Sequence, residues 1–282
     1  MPKSLKYICH NGAGYDNIDV EACTARDIQV SSTPVAVNNA TADITIFLLI
    51  GALRSMHGPY AACREGNWRG SNFVPGTDPE DKILGIIGMG GIGQAVAHRA
   101  RAFGMKIQYF NRSRLSPELE KGAKYVGFDE LLSTSDVVSL NCSLTAETTK
   151  LIGKKEFEKM KKGAVLVNTA RGKLIDEAAL VEALKGGNLK AAGLDVYENE
   201  PEINKGLYDA PNVFMTPHIG TGTTDTQVRD ALSTWQPVIL SVGNANSLQA
   251  KMELLVLENI KSALETGKLV TQVGEQISKH KL

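Results

Sequence analysis

Apolar positions in the second two-thirds of the chain gather in short, continuous runs separated by amphipathic stretches. The runs ILGIIGM (83–89), KIQYF (106–110), DVVSLNC (136–142), AVLVNTA (164–170), AAGLDVY (191–197) and NVFMTP (212–217) read as strands. Between them, GIGQAVAHRARAF (91–103), FDELLSTS (128–135), KKEFEKMK (154–161) and DEAALVEALKGG (176–187) carry helical spacing. Strands that are apolar throughout, alternating with helices, predict an α/β fold with a doubly wound parallel sheet covered on both faces. Ahead of this block, LKYIC (5–9) and IQVS (28–31) read as short strands, with the glycine-rich turn Asn11-Gly12-Ala13-Gly14 after the first. Asn38 to Met56 predicts one long helix, with Ala40, Ala42, Ile44, Phe47, Leu48 and Ala52 mostly on helical spacing. Gly66 to Asp81, rich in Gly, Asn and Pro, reads as a loop or boundary, and no internal repeat is evident.

Composition narrows the class without choosing the chemistry. The 282 residues are 43% apolar and 22% charged with zero formal net charge, which suits one large or two modest globular domains. Neutrality gives no hint of a nucleic-acid or membrane partner. The longest apolar run, Ile44 to Leu53, lies between Asp43 and Arg54 and is too short to span a bilayer. Cys9, Cys23, Cys63 and Cys142 show no metal-ligand spacing, and MPKSLKYICHNG has no signal-peptide core. A cytoplasmic protein with no metal site is the expectation.

Gly88-Met89-Gly90-Gly91-Ile92-Gly93 follows a strand and opens a helix, the context a dinucleotide fingerprint requires. Gly88 permits the tight turn, Gly90 lets backbone approach the diphosphate, and Gly93 lets helix and strand pack closely. The diphosphate then rests on free amides at the helix start. At the end of the next strand, an acid would bind the ribose 2′-hydroxyl and repel a 2′-phosphate. Asn111-Arg112-Ser113-Arg114 stands there instead. Arg112 can pair with a phosphate dianion and Ser113 can donate to it, so NADP is the expected cofactor, with NAD the alternative.

Three further motifs lie at the ends of successive strands: VNTARG (167–172), GLDVYENEP (193–201) and TPHIG (216–220). Ligands of doubly wound sheets bind beyond the carboxyl ends of the strands, where Arg171, Asp195, Glu200 and His218 would face the crevice. Reducing a 2-oxo acid needs a hydride and a proton. His218 suits the general acid, Glu200 the carboxylate that holds its imidazole, and Arg171 the clamp on the substrate carboxylate. Asp195 can anchor the nicotinamide carboxamide.

GMGGIG, VNTARG, GLDVYENEP and TPHIG, together with NGAGYDNIDV (11–20) and NNATADITIFLLIGALR (38–54), closely resemble the D-isomer-specific 2-hydroxyacid dehydrogenases. HNGAGYDNID with FNRSR looks most like the glyoxylate/hydroxypyruvate reductases of that family. The resemblance implies Arg171, Glu200 and His218 as the catalytic residues. It implies that the amides around Ala13 and Gly14 hold the substrate carboxylate and that Thr41 lies near the nicotinamide. Gly91, Ile92, Thr148, Thr169, Ala170 and Gly220 are implied cofactor contacts. So are Ser143 and Leu144, where the family usually has Pro-Leu. A homodimer is implied as well.

The expected domains are a cofactor domain over 46–224 and a truncated flavodoxin-like substrate domain over 1–45, continued by 225–282. Cofactor and substrate are expected to meet in the cleft between them. Two departures from the family stand out. Family members carry several tens of residues before the strand that begins here at Leu5. Val228 to about Gln249 match nothing in the family, and Trp235, Pro237 and Gly243 would break a helix there. The segment is either a true surface insertion, since long loops cost little, or a translated intron, which a Val codon beginning GT and a Gln codon ending AG would suit and cDNA reads spanning 228–249 without interruption would refute. Two other readings are a non-catalytic dinucleotide-binding regulator of the corepressor type and an inactive truncated product.

Overall fold

The computed structural model describes residues 1–70, 73–223 and 251–279; the segment 228–249 lies outside them. The described chain divides into two compact units, Met1–Ala40 with Thr221–Leu282, and Thr41–Gly220. In chain order the elements are β1 (Tyr7–Cys9), α1 (Val20–Thr24), β2 (Gln29–Ser31), α2 (Asn38–Leu53), α3 (His57–Arg64), β3 (Ile83–Ile87), α4 (Gly91–Ala102) and β4 (Lys106–Phe110). Then come α5 (Pro117–Glu120), β5 (Lys124–Tyr125), α6 (Phe128–Thr134), β6 (Val137–Leu140), α7 (Lys154–Lys159), β7 (Ala164–Asn168), α8 (Glu177–Lys185) and β8 (Leu189–Leu194). The last are α9 (Lys205–Asp209), β9 (Val213–Met215), α10 (Lys251–Thr266) and α11 (Gly274–Lys279).

Unit Thr41–Gly220 is built on a seven-stranded, all-parallel sheet of order β5-β4-β3-β6-β7-β8-β9. The order reverses at β3, whose neighbours β4 and β6 come later in sequence, so the switch point of a doubly wound fold falls at the glycine turn. The β6 and β7 residues are buried throughout, which is why their sequences are unbroken apolar runs rather than alternating ones. Helices cover both faces, and the two faces hold separate apolar clusters. One gathers Leu131, Leu132, Leu140, Phe157, Leu166, Leu180 and Leu184. The other gathers Leu48, Leu49, Leu84, Ile86, Val96, Tyr109 and Val165.

The other unit holds the parallel pair β1–β2 with α1, α10 and α11. Gln276 of α11 is buried and serves β2 as a substitute strand edge. Its Oε1 accepts from the Val30 amide at 2.8 Å and its Nε2 donates to the Ile28 carbonyl at 2.8 Å. Among the described residues its buried cluster is Cys23, Ile28, Val30 and Val273.

The single helix expected over Asn38–Met56 ends at Leu53. Ser55 takes a left-handed φ of 51°, and α3 starts a new direction. Pro59 is tolerated there because the first-turn amides of a helix have no intrahelical partner.

Candidate active site

The glycine turn is shaped by what each missing side chain leaves room for. Gly88 sits at φ 93°, and a Cβ on it would stand 2.5 Å from the Cys142 amide nitrogen at the end of β6. A Cβ on Gly93 would stand 2.5 Å from the Gly88 carbonyl, so α4 can lie this close to β3 only without a side chain. At Gly90 a Cβ would meet nothing within 4 Å. Space at that point is what close approach of a diphosphate requires. Gly90, Gly91 and Ile92 form the start of α4, whose first amides lack intrahelical acceptors. Beside the turn, the buried Asn141 Nδ2 finds no hydrogen-bond partner among the described residues. A donor left in this condition suits a polar ligand. The residues present therefore fit a dinucleotide.

The loop after β4 is braced from three directions. Asn111 Oδ1 accepts from the Met89 amide at 2.7 Å, tying this loop to the glycine turn. Tyr125 donates its hydroxyl proton to the Asn111 carbonyl at 3.1 Å. Arg114 donates from Nε and Nη2 to the two oxygens of Glu120, at 2.8 and 3.1 Å. Tyr109 also donates to Glu120, at 2.7 Å. Hydrogen bonds from Arg114 and then Tyr109 hold the Glu120 carboxyl below its ordinary range. Arg114 is thus occupied within the chain. Arg112 and Ser113 are exposed, and Arg112 makes no salt bridge among the described residues. Its charge does reach Glu147, in the loop after β6.

Arg171, Glu200 and His218 leave the carboxyl ends of three adjacent strands, β7, β8 and β9. Asn168, fully buried, shapes the first exit by donating to the Arg171 carbonyl at 2.8 Å and accepting from the Ala170 amide at 3.0 Å. Arg171 Nη1 donates to the Ala170 carbonyl at 2.7 Å. His218 Nδ1 and Glu200 Oε2 are 2.6 Å apart, and Glu200 Oε1 accepts from the Tyr197 amide at 2.8 Å. With Glu200 ionised, Nδ1 is the donor of this pair and Nε2 is free to point elsewhere.

Asp195 organises the turn that carries His218. Its Oδ1 accepts from Thr216 Oγ1 at 2.6 Å and from the Ile219 amide at 2.9 Å, and its Oδ2 accepts from the Gly220 amide at 2.8 Å. Two carboxylate oxygens offer about four acceptor positions, so about one stays open for a carboxamide. Thr41 lies close by: a Cβ on Gly220 would stand 3.1 Å from Asp195 Oδ2 and 3.7 Å from Thr41 Oγ1. Thr45 donates to the Thr41 carbonyl at 2.7 Å, so the 2.7 Å contact between Thr45 Oγ1 and Thr169 Oγ1 is donated by Thr169. The Thr169 hydroxyl is therefore committed to α2. Thr148 likewise closes its own loop, donating to the Ser143 carbonyl at 2.8 Å, with Leu144 beside it half-buried.

Ala13 and Gly14 belong to the other unit, in the turn after β1. There His10 Nε2 is 3.0 Å from the Gly14 carbonyl oxygen. Sequence reasoning missed Asn168, Glu120 and Glu177. Asn168 stood inside a recognised motif, and a polar residue ending an apolar strand was the signal. The two acids gave none, since both sit in helices where an exposed acid is ordinary.

The sequence profile of the D-isomer specific 2-hydroxyacid dehydrogenase NAD binding domain matches residues 46–220. The 4-methyl-2-oxopentanoate reductase A of Aspergillus oryzae is 59% identical over 276 residues, which are 98% of this chain and 77% of that one. Glyoxylate reductase 1 of Saccharomyces cerevisiae is 44% identical over 282 residues, covering 98% of this chain and 74% of its own. The crystal structure of a glyoxylate reductase from Paecilomyes thermophila aligns with a TM-score of 0.87 at 58% identity, covering 98% of this chain and 77% of that one. An NADPH-dependent glyoxylate/hydroxypyruvate reductase from Sinorhizobium meliloti, solved with NADP and malonate, aligns with a TM-score of 0.84 at 31% identity, covering 97% and 79%. The chain thus belongs to the D-isomer specific 2-hydroxyacid dehydrogenases, NAD(P)-dependent enzymes that act on 2-oxo acids.

Proposed function

We propose that this dehydrogenase reduces glyoxylate or hydroxypyruvate with NADPH, using Arg171, Glu200 and His218. The observation that carries the reading is the 2.6 Å contact between His218 Nδ1 and Glu200 Oε2 at the ends of neighbouring strands. A bound nicotinamide dinucleotide supplies the hydride. Glu200 holds the imidazole by Nδ1, so Nε2 delivers the proton to the forming alkoxide. The Arg171 guanidinium pairs with the substrate carboxylate and draws charge from the adjacent carbonyl. Asp195, through the turn 216–220, keeps His218 in place, and its remaining acceptor position suits the carboxamide.

NADPH is favoured over NADH because no acid stands at 111–114 and Arg112 is exposed with no salt bridge among the described residues. Glyoxylate is favoured by the names of the Saccharomyces and Paecilomyes relatives. The Aspergillus relative supports a second reading, a branched 2-oxo acid such as 4-methyl-2-oxopentanoate. A panel of glyoxylate, hydroxypyruvate and 4-methyl-2-oxopentanoate, each with NADPH and NADH, tests both. Higher kcat/KM with NADH would overturn the role of Arg112. His218→Ala is expected to lower kcat by about 10²–10⁴-fold with NADPH affinity nearly unchanged. Full turnover in that variant would remove His218 from proton delivery.

The exposed side chains of Phe47, Met56, Tyr60, Trp68 and Phe73 support the homodimer that the resemblance implies. Light scattering on the eluting protein checks it, and a monomer mass would refute it.

A further inference from the structure

Glu177 opens α8 and looks like an ordinary acid in the first turn of a helix. Its side chain is only 5% exposed. Oε1 accepts from the Glu198 amide at 2.6 Å, and the Asn204 backbone helps to hold the carboxyl's proton affinity down. Glu198 and Asn204 are the two ends of the excursion that carries Glu200. Within it, Asn199 pairs with Glu202, and the Glu202 amide donates to the Asn199 carbonyl at 2.9 Å. Gly172 seals the other side, since a Cβ there would run into the Tyr197 carbonyl and the Glu198 amide.

This acid is held at a disadvantage. Burial raises its proton affinity, and the charges of Glu198 and Glu200 add to the rise against the pull of the Glu198 and Asn204 backbone. Lys150, 3.3 Å from Asp176 and 3.6 Å from Glu198, supplies the nearby positive charge. An exposed acid would serve the helix start without that burden. The carboxylate's reach to the Glu198 amide is what its burial provides.

We propose that Glu177 is a positioning residue for proton delivery, clamping the start of the 198–204 loop at the Glu198 amide so that Glu200 meets the His218 imidazole. It acts through Glu200, so the proposal rests on the reading of Glu200 and His218 given above.

Glu177→Asp and Glu177→Gln separate reach from charge. Asp keeps the charge and withdraws the acceptor by one methylene; Gln keeps the reach and a carbonyl acceptor. In NADPH-linked glyoxylate reduction, Glu177→Asp is expected to lose about tenfold in kcat and Glu177→Gln less than about threefold. Glyoxylate KM and the NADPH Kd, read by nucleotide fluorescence, stay within about twofold in both. Equal losses in the two variants, a larger loss in Gln, or full kcat in Asp would overturn the clamp. His218→Ala runs alongside: if it keeps full turnover, the pair itself is wrong and the clamp falls with it. If it collapses while Glu177→Asp does not, the clamp alone is refuted.

Discussion

Asp195 is a carboxylate whose three donors all come from residues 216–220, and this commitment can be tested by changing one atom. Asp195→Asn replaces an acceptor oxygen with an NH2 group that must face the Ile219 or the Gly220 backbone N–H. A buried donor left against a donor is expected to lower stability by about 2–3 kcal/mol, measured by urea unfolding. An unshifted midpoint would mean that the turn is held by something else. Glu120 offers a pH test. Its folded-state proton affinity is depressed by Arg114 and then Tyr109, so its contribution is fully present above the unfolded carboxyl range and fades as pH falls through the lowered folded value. Glu120→Gln should therefore flatten the acid side of the melting-temperature profile, and an unchanged acid limb would contradict the network. Neither Glu120 nor Glu177 was legible in sequence. Each sits near a helix start where solvated acids are common, and what buries Glu177 lies some twenty residues further along the chain. By contrast Arg171, Glu200 and His218 stood out, because each follows a strand within a motif of several residues.

At the scale of elements, the glycine turn separates two uses of the same residue type. Gly93→Ala must push α4 from β3, because the added Cβ meets the Gly88 carbonyl at 2.5 Å. A cost of about 1–3 kcal/mol in stability is expected. Gly90 has extended backbone angles, φ −81° and ψ −154°, that alanine tolerates, and its Cβ would meet open space. Gly90→Ala should leave the melting temperature within about 1 °C while weakening NADPH binding in a fluorescence titration. Equal nucleotide affinity in Gly90→Ala would mean that the diphosphate does not pass there. The strands of this sheet were readable because burial on both faces makes them continuous apolar runs. Elements of a few residues escaped. β5 is the pair Lys124–Tyr125, α5 is four residues, and α3 contains Gly58 and Pro59, which resemble loop composition. For these, pairing and packing rather than local pattern decide the structure.

At the scale of the molecule, the described residues of the two units form buried clusters of very different size. Thr41–Gly220 holds the two large apolar clusters on either face of its sheet, whereas the other unit's buried cluster is Cys23, Ile28, Val30 and Val273. Buried apolar area is the main favourable term in folding, so on the described residues the smaller cluster marks the unit expected to unfold first. Every residue proposed to bind the nucleotide, from Thr41 to Gly220, falls within the larger one. A ligand stabilises only the structure that binds it, by an amount that grows with the logarithm of its free concentration over Kd. Scanning calorimetry is therefore expected to resolve a smaller, earlier transition and a larger, later one. NADPH should raise the later transition progressively with concentration and leave the earlier one within about 1 °C. NADH at equal concentration should raise it less, because Arg112 gains no phosphate partner. A single transition that moves as a whole would show the two units unfolding as one, and a shift confined to the earlier transition would place the nucleotide in the wrong unit.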